Sequence, residues 1–188
     1  MIRWLLWLLF GIALGGVVHL VTVLALPRFA EQSAYARLVP VSPVNAMVQL
    51  PAPAADSTLL PLMDPAFAES VCRYDLGEGP LKFVVPVTQA YTSLSFYTRE
   101  GVAYYAINDR AAGRRIIELD LMTADQRAEL PENDEMTAAD RLIVESPGET
   151  GLVLVRALAP EPGFMPMVRE TLAKARCEAS PPAQDKNG

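Results

Sequence analysis

The residues in this chain that could do chemistry are few. Cys72, Cys177 and His19 are the only thiol or imidazole groups among 188 residues. The two cysteines lie too far apart for a zinc site of CxxC type, and no second histidine completes one. A serine or cysteine nucleophile needs an adjacent base, and His19 sits inside an apolar run, out of reach of any soluble residue. Among the acids, Glu118 and Asp120 share one strand face, the minimum for paired-carboxylate hydrolysis. They alternate with Ile117 and Leu119, so a solvated strand face is the plainer expectation. Glu132-Asn-Asp-Glu135, continuing to Asp140, offers oxygen ligands to calcium, but it lacks the ordered one-three-five spacing and closing glutamate of an EF-hand. It is expected to be a solvated loop. Arg110, Arg114 and Arg115, with Tyr104 and Tyr105 nearby, are weak candidates for an anion-binding mouth, set against a basic rim that balances the acidic loop. No catalytic residue, metal ligand or cofactor is assigned.

The element that places everything else is Trp4 to Leu26, where only His19 and Thr22 carry polar side chains. A hydrocarbon core of roughly 30 Å needs about 20 apolar residues at about 1.5 Å each, so this run spans a bilayer. It is longer than the core of a secretory signal, and the nearest small-x-small site, Ala34-Tyr35-Ala36, lies beyond Pro27 and Arg28. An uncleaved anchor is expected. Trp4 and Trp7 suit the interfacial belt at one edge. Gly11, Gly15, His19 and Thr22 fall within an arc of about 80°, a packing face for a homodimer or another membrane protein. The alternative is that glycine is simply common in such helices and His19 is a tolerated polar residue; as a site in its own right His19 could ligate haem, with a neutral interhelical hydrogen bond the plainer expectation.

Arg3 on one side of the span is nearly balanced by Arg28 and Arg37 on the other, so charge does not orient it. The acidic, lysine-poor body and the two cysteines favour export: N-terminus cytoplasmic, C-terminal domain periplasmic, at a bacterial inner membrane. A net charge of -6 and a pI near 4.8, with no basic stripe, exclude nucleic acid as partner. Cys72 and Cys177 are expected to form a disulfide in that oxidising compartment. A regular helix running to position 177 would point Cys177 about 160° away from the face made by Phe164 and Leu172. Pairing therefore requires the helix to end or unwind near Arg176.

Four stretches follow. Residues 1–27 form the anchor. Residues 28–62 hold a short amphipathic stretch, Phe29 to Leu38, and prolines at 40, 43, 51, 53 and 61, which read as a semi-rigid stalk with an optional edge strand at Val44 to Leu50. Residues 63–179 form one β-rich domain, and 180–188 a disordered tail. Within the domain three hairpins are expected: Ala66–Leu76 with Leu81–Val87, Ser93–Thr98 with Val102–Ile107, and Arg141–Ser146 with Gly151–Leu158. Leu81, Phe83, Val85 and Val87 make one buried face. Thr123 to Gln126 caps a short helix, and Gly163 to about Lys174 forms a terminal one whose apolar face runs from Phe164 and Met167 to Leu172 and Ala175. The fold expected is mainly β, an antiparallel β-sandwich or open barrel with a C-terminal helix behind one N-terminal transmembrane helix.

Asp64-Pro65, Tyr74-Asp75-Leu76, Gly79-Pro80, Pro86, Ser95-Phe96-Tyr97 and Asn108-Asp109-Arg110 together resemble the bacterial proteins carrying domain of unknown function 1254, here in a short membrane-anchored form. The likeness covers about Asp64 to Leu121 and rests on turn and strand residues, so it implies a β-sandwich-like domain and no substrate. Longer members usually continue into a second domain, numbered 1214, for which this chain ends too soon. The expectation for function is a binding or assembly module in the cell envelope. The alternative is a sandwich that binds or processes a small ligand, lipid or sugar.

Overall fold

Leu81, Phe83 and Val85 are buried while Lys82, Val84 and Pro86 are half-buried, the period-two pattern of a strand with one face on a core. The computed structural model that shows this describes residues 1–29, 33–54, 59–60, 63–113, 115–130 and 142–180. Strand β3 (Leu81–Pro86) lies in a four-stranded sheet ordered β7 (Leu142–Ser146), β6 (Ile116–Thr123), β3, β9 (Arg176–Ala179). A five-stranded sheet faces it, ordered β1 (Met47–Gln49), β2 (Phe67–Asp75), β8 (Thr150–Leu158), β4 (Thr92–Thr98), β5 (Ala103–Asn108). The rings of Phe83 and Phe96, one from each sheet, meet edge to face at 5.8 Å. The sheets do not close, so the fold is a mainly antiparallel two-sheet sandwich; among the described strands β6 and β7 run parallel, and Val44 adds an isolated parallel bridge to Arg73.

Two of the three expected hairpins are instead corners where the chain changes sheet. β2 already has β1 on one edge and β8 on the other, so it offers no edge to β3. Gly77-Glu-Gly-Pro80 therefore carries the chain across, with Gly79 at φ 136°, a conformation few other residues adopt. In the same way β7 pairs with β6 while β8 pairs with β2 and β4, and Pro147 to Thr150 is the return corner. The two corners bond to each other, Leu76 N–H donating to the Glu149 carbonyl at 2.9 Å. The hairpin of β4 and β5 forms as expected.

Five helices are described. Helix α1 (Ile2–Phe29) is the apolar run, and Ile2–Leu26 is long and apolar enough to cross a membrane. Helix α2 (Ala34–Leu38) follows. Helix α3 (Asp109–Ala112) starts where Asn108 Oδ1 accepts the Ala111 N–H, a cap absent from the sequence reading. Helix α4 (Ala124–Ala128) opens with the expected reciprocal box between Thr123 and Gln126. Helix α5 (Met165–Leu172), entered through a single 3-10 turn at Pro162–Phe164, is shorter than expected.

The segment 28–62 is not a spacer throughout. Leu38 and Leu50 are fully buried against Val71 and Leu152 on the outer face of the five-stranded sheet. Tyr35 lies under the guanidinium groups of Arg73 (5.2 Å) and Arg99 (5.4 Å), and Arg73 Nε donates to the Ser42 carbonyl at 2.8 Å. Asn45 Nδ2 donates to the Asp75 carbonyl at 2.9 Å while its Oδ1 accepts the Asp75 N–H at 2.8 Å, which fastens the segment where proline has removed backbone donors. Phe29 and the docked helix cap Ser33 are four residue steps apart, at most about 14 Å of extended chain. The domain is thus tethered closely to the end of α1 rather than lifted away. The expected tail lies outside the described residues apart from Ser180, whose N–H donates to the Pro80 carbonyl.

Candidate functional site

Helix α5 presents two stripes. Val168 and Leu172, four apart, are buried in the core, as is Ala175 beyond the helix. Phe164 and Met167 turn outward, 40% and 47% exposed, which divides the single apolar face expected from the sequence. Opposite them runs the loop from β3 to β4. Between the two lies a groove of about 410 Å³, walled by Val87, Ala90, Leu158 and Pro160 on one side and Phe164, Met167 and Val168 on the other. Among the described residues its polar lining groups are Thr88, Gln89 and Thr171, all uncharged.

Both walls are held in place. Val87 N–H donates to the Arg115 carbonyl at 2.8 Å, Thr88 N–H to Thr92 Oγ1 at 3.0 Å, and Leu158 N–H to the Tyr91 carbonyl at 2.8 Å. On the helix side, Gln49 Nε2 donates to the Arg169 carbonyl at 2.9 Å and Arg169 Nη2 to the Leu50 carbonyl at 3.0 Å. The volume falls within the roughly 300–1,000 Å³ of small-molecule sites, which are mostly apolar and largely preformed.

The other end of the sandwich holds a buried polar cluster. Tyr74 Oη lies 3.0 Å from Ser146 Oγ and 3.0 Å from Tyr104 Oη, joining β2, β5 and β7 beside the two corners. Ser146 spends its proton on the Gly148 carbonyl at 2.6 Å, so Tyr74 donates to Ser146 and Tyr104 to Tyr74. Gly151 makes room for this, because a Cβ there would collide with the Tyr74 hydroxyl and the Tyr97 carbonyl. Burial pushes the phenols of both Tyr74 and Tyr104 above their ordinary value, so they stay protonated. Neither can serve as a base for Ser146, and the cluster ties the sheets together.

Cys72 and Cys177 are disulfide-bonded, with Cα atoms 6.4 Å apart. The helix condition is met: α5 ends at Leu172, and Cys177 sits in β9 opposite Phe83, so the bond joins one sheet to the other. Glu118 is exposed and pairs with Lys82 at 3.6 Å, whereas Asp120, expected in solvent, is only 6% exposed. Arg110 and Arg115 are exposed, at α3 and before β6, while Tyr104 turns inward to Tyr74; Arg114 lies outside the described residues, as does the acidic loop from Glu132 to Asp140. No group of three or more His, Cys, Asp or Glu side chains able to hold a metal occurs among the described residues. Gly11, Gly15, His19 and Thr22 are exposed on α1, with nothing within 4 Å of a Cβ built on either glycine. Thr22 Oγ1 donates to the Val18 carbonyl within its own helix at 2.8 Å. The groove was not foreseen, because the sequence places Phe164 and Met167 on one apolar face with Val168 and Leu172.

An open two-sheet β domain with a disulfide between its sheets, behind a long apolar helix, is the class of protein these features define. The family model described as protein of unknown function (DUF1254) matches residues 44–179, and the chain belongs to that family. The match begins within the docked part of the supposed stalk. The crystal structure of the VPA0106 protein from Vibrio parahaemolyticus is similar in fold, with TM-score 0.57 and 13% identity over 78% of this chain and 34% of that one. A crystal structure of an uncharacterized protein from Burkholderia cenocepacia overlaps at TM-score 0.47 and 14% identity, over 68% of this chain and 34% of that one. The chain spans about a third of the length of these solved structures. No curated protein matches the sequence.

Proposed function

We propose that this is a single-pass protein of a bacterial inner membrane, N-terminus cytoplasmic, whose periplasmic β domain is a binding or assembly module of the cell envelope. The observation that carries the reading is α1: its side chains from Ile2 to Leu24 are all exposed, so the folded domain does not use them and their apolar surface needs lipid or a partner helix. The short tether supports it, because it keeps the domain close to the anchor. The disulfide supports an oxidising compartment. Gly11 and Gly15 leave backbone open to a neighbouring helix, either a second copy or another membrane protein.

Two experiments test this. Alkaline phosphatase fused after Ser180 is expected to be active and the same enzyme fused before Met1 inactive; the reverse pattern overturns the orientation. Cross-linking of the full chain in membranes is expected to weaken severalfold in Gly15→Leu and to hardly change in Leu14→Ala. Equal yields from both remove the packing face and with it assembly through the span.

A further inference from the structure

We propose that the groove between the β3–β4 loop and α5 is a binding site for an uncharged single-chain amphiphile. The inference deepens the reading of the domain as a binding module and rests on it. An apolar chain fits along Leu158, Phe164 and Met167, and a hydroxyl or amide head meets the Gln89 amide and, as acceptors, the hydroxyls of Thr88 and Thr171, which already bond Thr92 Oγ1 and the Met167 carbonyl. Among the described residues no Asp, Glu, Lys, Arg or His lines the groove, so a charged head would lose hydration there without gaining a counter-charge. A peptide strand or helix is a poorer occupant. Its backbone brings a donor and an acceptor at every residue into a site with three polar side chains, whereas an alkyl chain brings none. Met167, unbranched and exposed, adapts to chains of different shape.

Position narrows the source. The docked helix α2 touches Arg73 and Arg99, near the ends of β2 and β4 beside Gly151, whereas Leu158 in the groove pairs with Phe67 at the other end of β2. Six residues of strand, about 20 Å, separate the two. The groove therefore lies away from the point where α2 docks, which favours a ligand taken from solution over one entering from the anchoring bilayer. That favours an amphiphile soluble enough to exist as a monomer.

The test uses the full chain in lipid nanodiscs with ¹³C-methyl-labelled methionine, titrated with 1-decanoylglycerol, decanoate and decyltrimethylammonium. Met167 flanks the groove, and Met122, buried in β6, serves as the fold control. The expected result is a saturable shift of the Met167 methyl with the neutral probe, at least tenfold weaker binding of both charged probes, and an unmoved Met122. Ala90→Phe fills the groove and is expected to abolish the shift while Met122 keeps its position. Should that variant not fold, Thr171→Lys adds a cation to the lining and is expected to turn the preference toward decanoate. No saturable shift, equal affinity for the three heads, or a preference unchanged by Thr171→Lys overturns the proposal. Cross-linking through the span reads a different surface, so its failure is distinguishable from failure here.

Discussion

The two ends of the sandwich solve opposite problems. At the corner end, hydroxyls that would be costly to bury are bonded to one another, Tyr104 to Tyr74 to Ser146 to the Gly148 carbonyl, and a glycine yields its side-chain space to them. At the groove end the polar atoms of the loop are used to fix the walls, and what faces outward is apolar: Phe164, Met167, Tyr91 and Ile116, each at least 40% exposed. A polar cluster whose hydrogen bonds are made inside the protein has little to offer a ligand, while apolar surface left in a preformed groove has much. Apparent chemistry at the corner end is structural. The groove end, which has no chemical groups of note, is where binding is to be sought.

The largest effect should come from closing the space at the corner end. Gly151→Val drives a side chain into Tyr74 and displaces its hydroxyl, which should cost about 4 kcal/mol or more, overpacking plus unmade buried bonds. Denaturant unfolding measures it, and a loss under about 1 kcal/mol would mean that Tyr74 can move and that the end is not rigid. Next is the staple between the sheets. Cys72→Ser with Cys177→Ser opens a loop with a sequence separation of 105 and should cost about 2–4 kcal/mol. Unfolded, unreduced wild-type protein should show no reactive thiol; two thiols would remove the bond and weaken the case for export.

A smaller effect separates the ends by pH. Tyr74 and Tyr104 have raised folded-state values, so above about pH 10 the unfolded chain releases phenolic protons that the folded chain keeps. The folded state then binds more protons, and stability that is fully present below pH 10 falls as pH rises. Tyr104→Phe should flatten that decline between pH 9 and 11, whereas Tyr91→Phe at the groove end should not; equal slopes would contradict the burial argument. The smallest effect on stability belongs to Met167→Lys, within about 0.5 kcal/mol because the side chain is half exposed. The same change should abolish uptake of the neutral probe, measured by equilibrium dialysis of labelled 1-decanoylglycerol, so that stability and binding part company at this end alone.

Several features were legible because they are local. The span follows from an uninterrupted apolar run, the β3 face from alternation between Leu81 and Val85, the α4 cap from Thr123 and Gln126 three apart, and the β4–β5 hairpin from a turn flanked by two strands. The family resemblance rested on turn residues of this kind and fixed fold without site. Asp120 was misread because alternation predicts which face a residue shares, and not whether something covers that face.

By itself, then, the sequence determined which segments are strand or cap and which one is long and apolar enough to cross a membrane, since apolar runs, two-residue periods and capping chemistry act within a few residues. Beyond the β4–β5 hairpin, tertiary structure alone decided which strands pair. β2 takes β1 from the segment before it and β8 from a distant part of the chain, so both edges are filled and the turns at Gly79 and Pro147 become crossings between sheets. It decided that Leu38 and Leu50 seal an outer face instead of riding on a stalk, and that α5 stops at Leu172 so that Cys177 can reach Cys72. The groove belongs to this second class. Its walls come from residues 87–90 and 158–171, and apolar side chains remain uncovered there because the core below is already filled by Val168 and Leu172, a fact of packing that no pattern along the chain encodes.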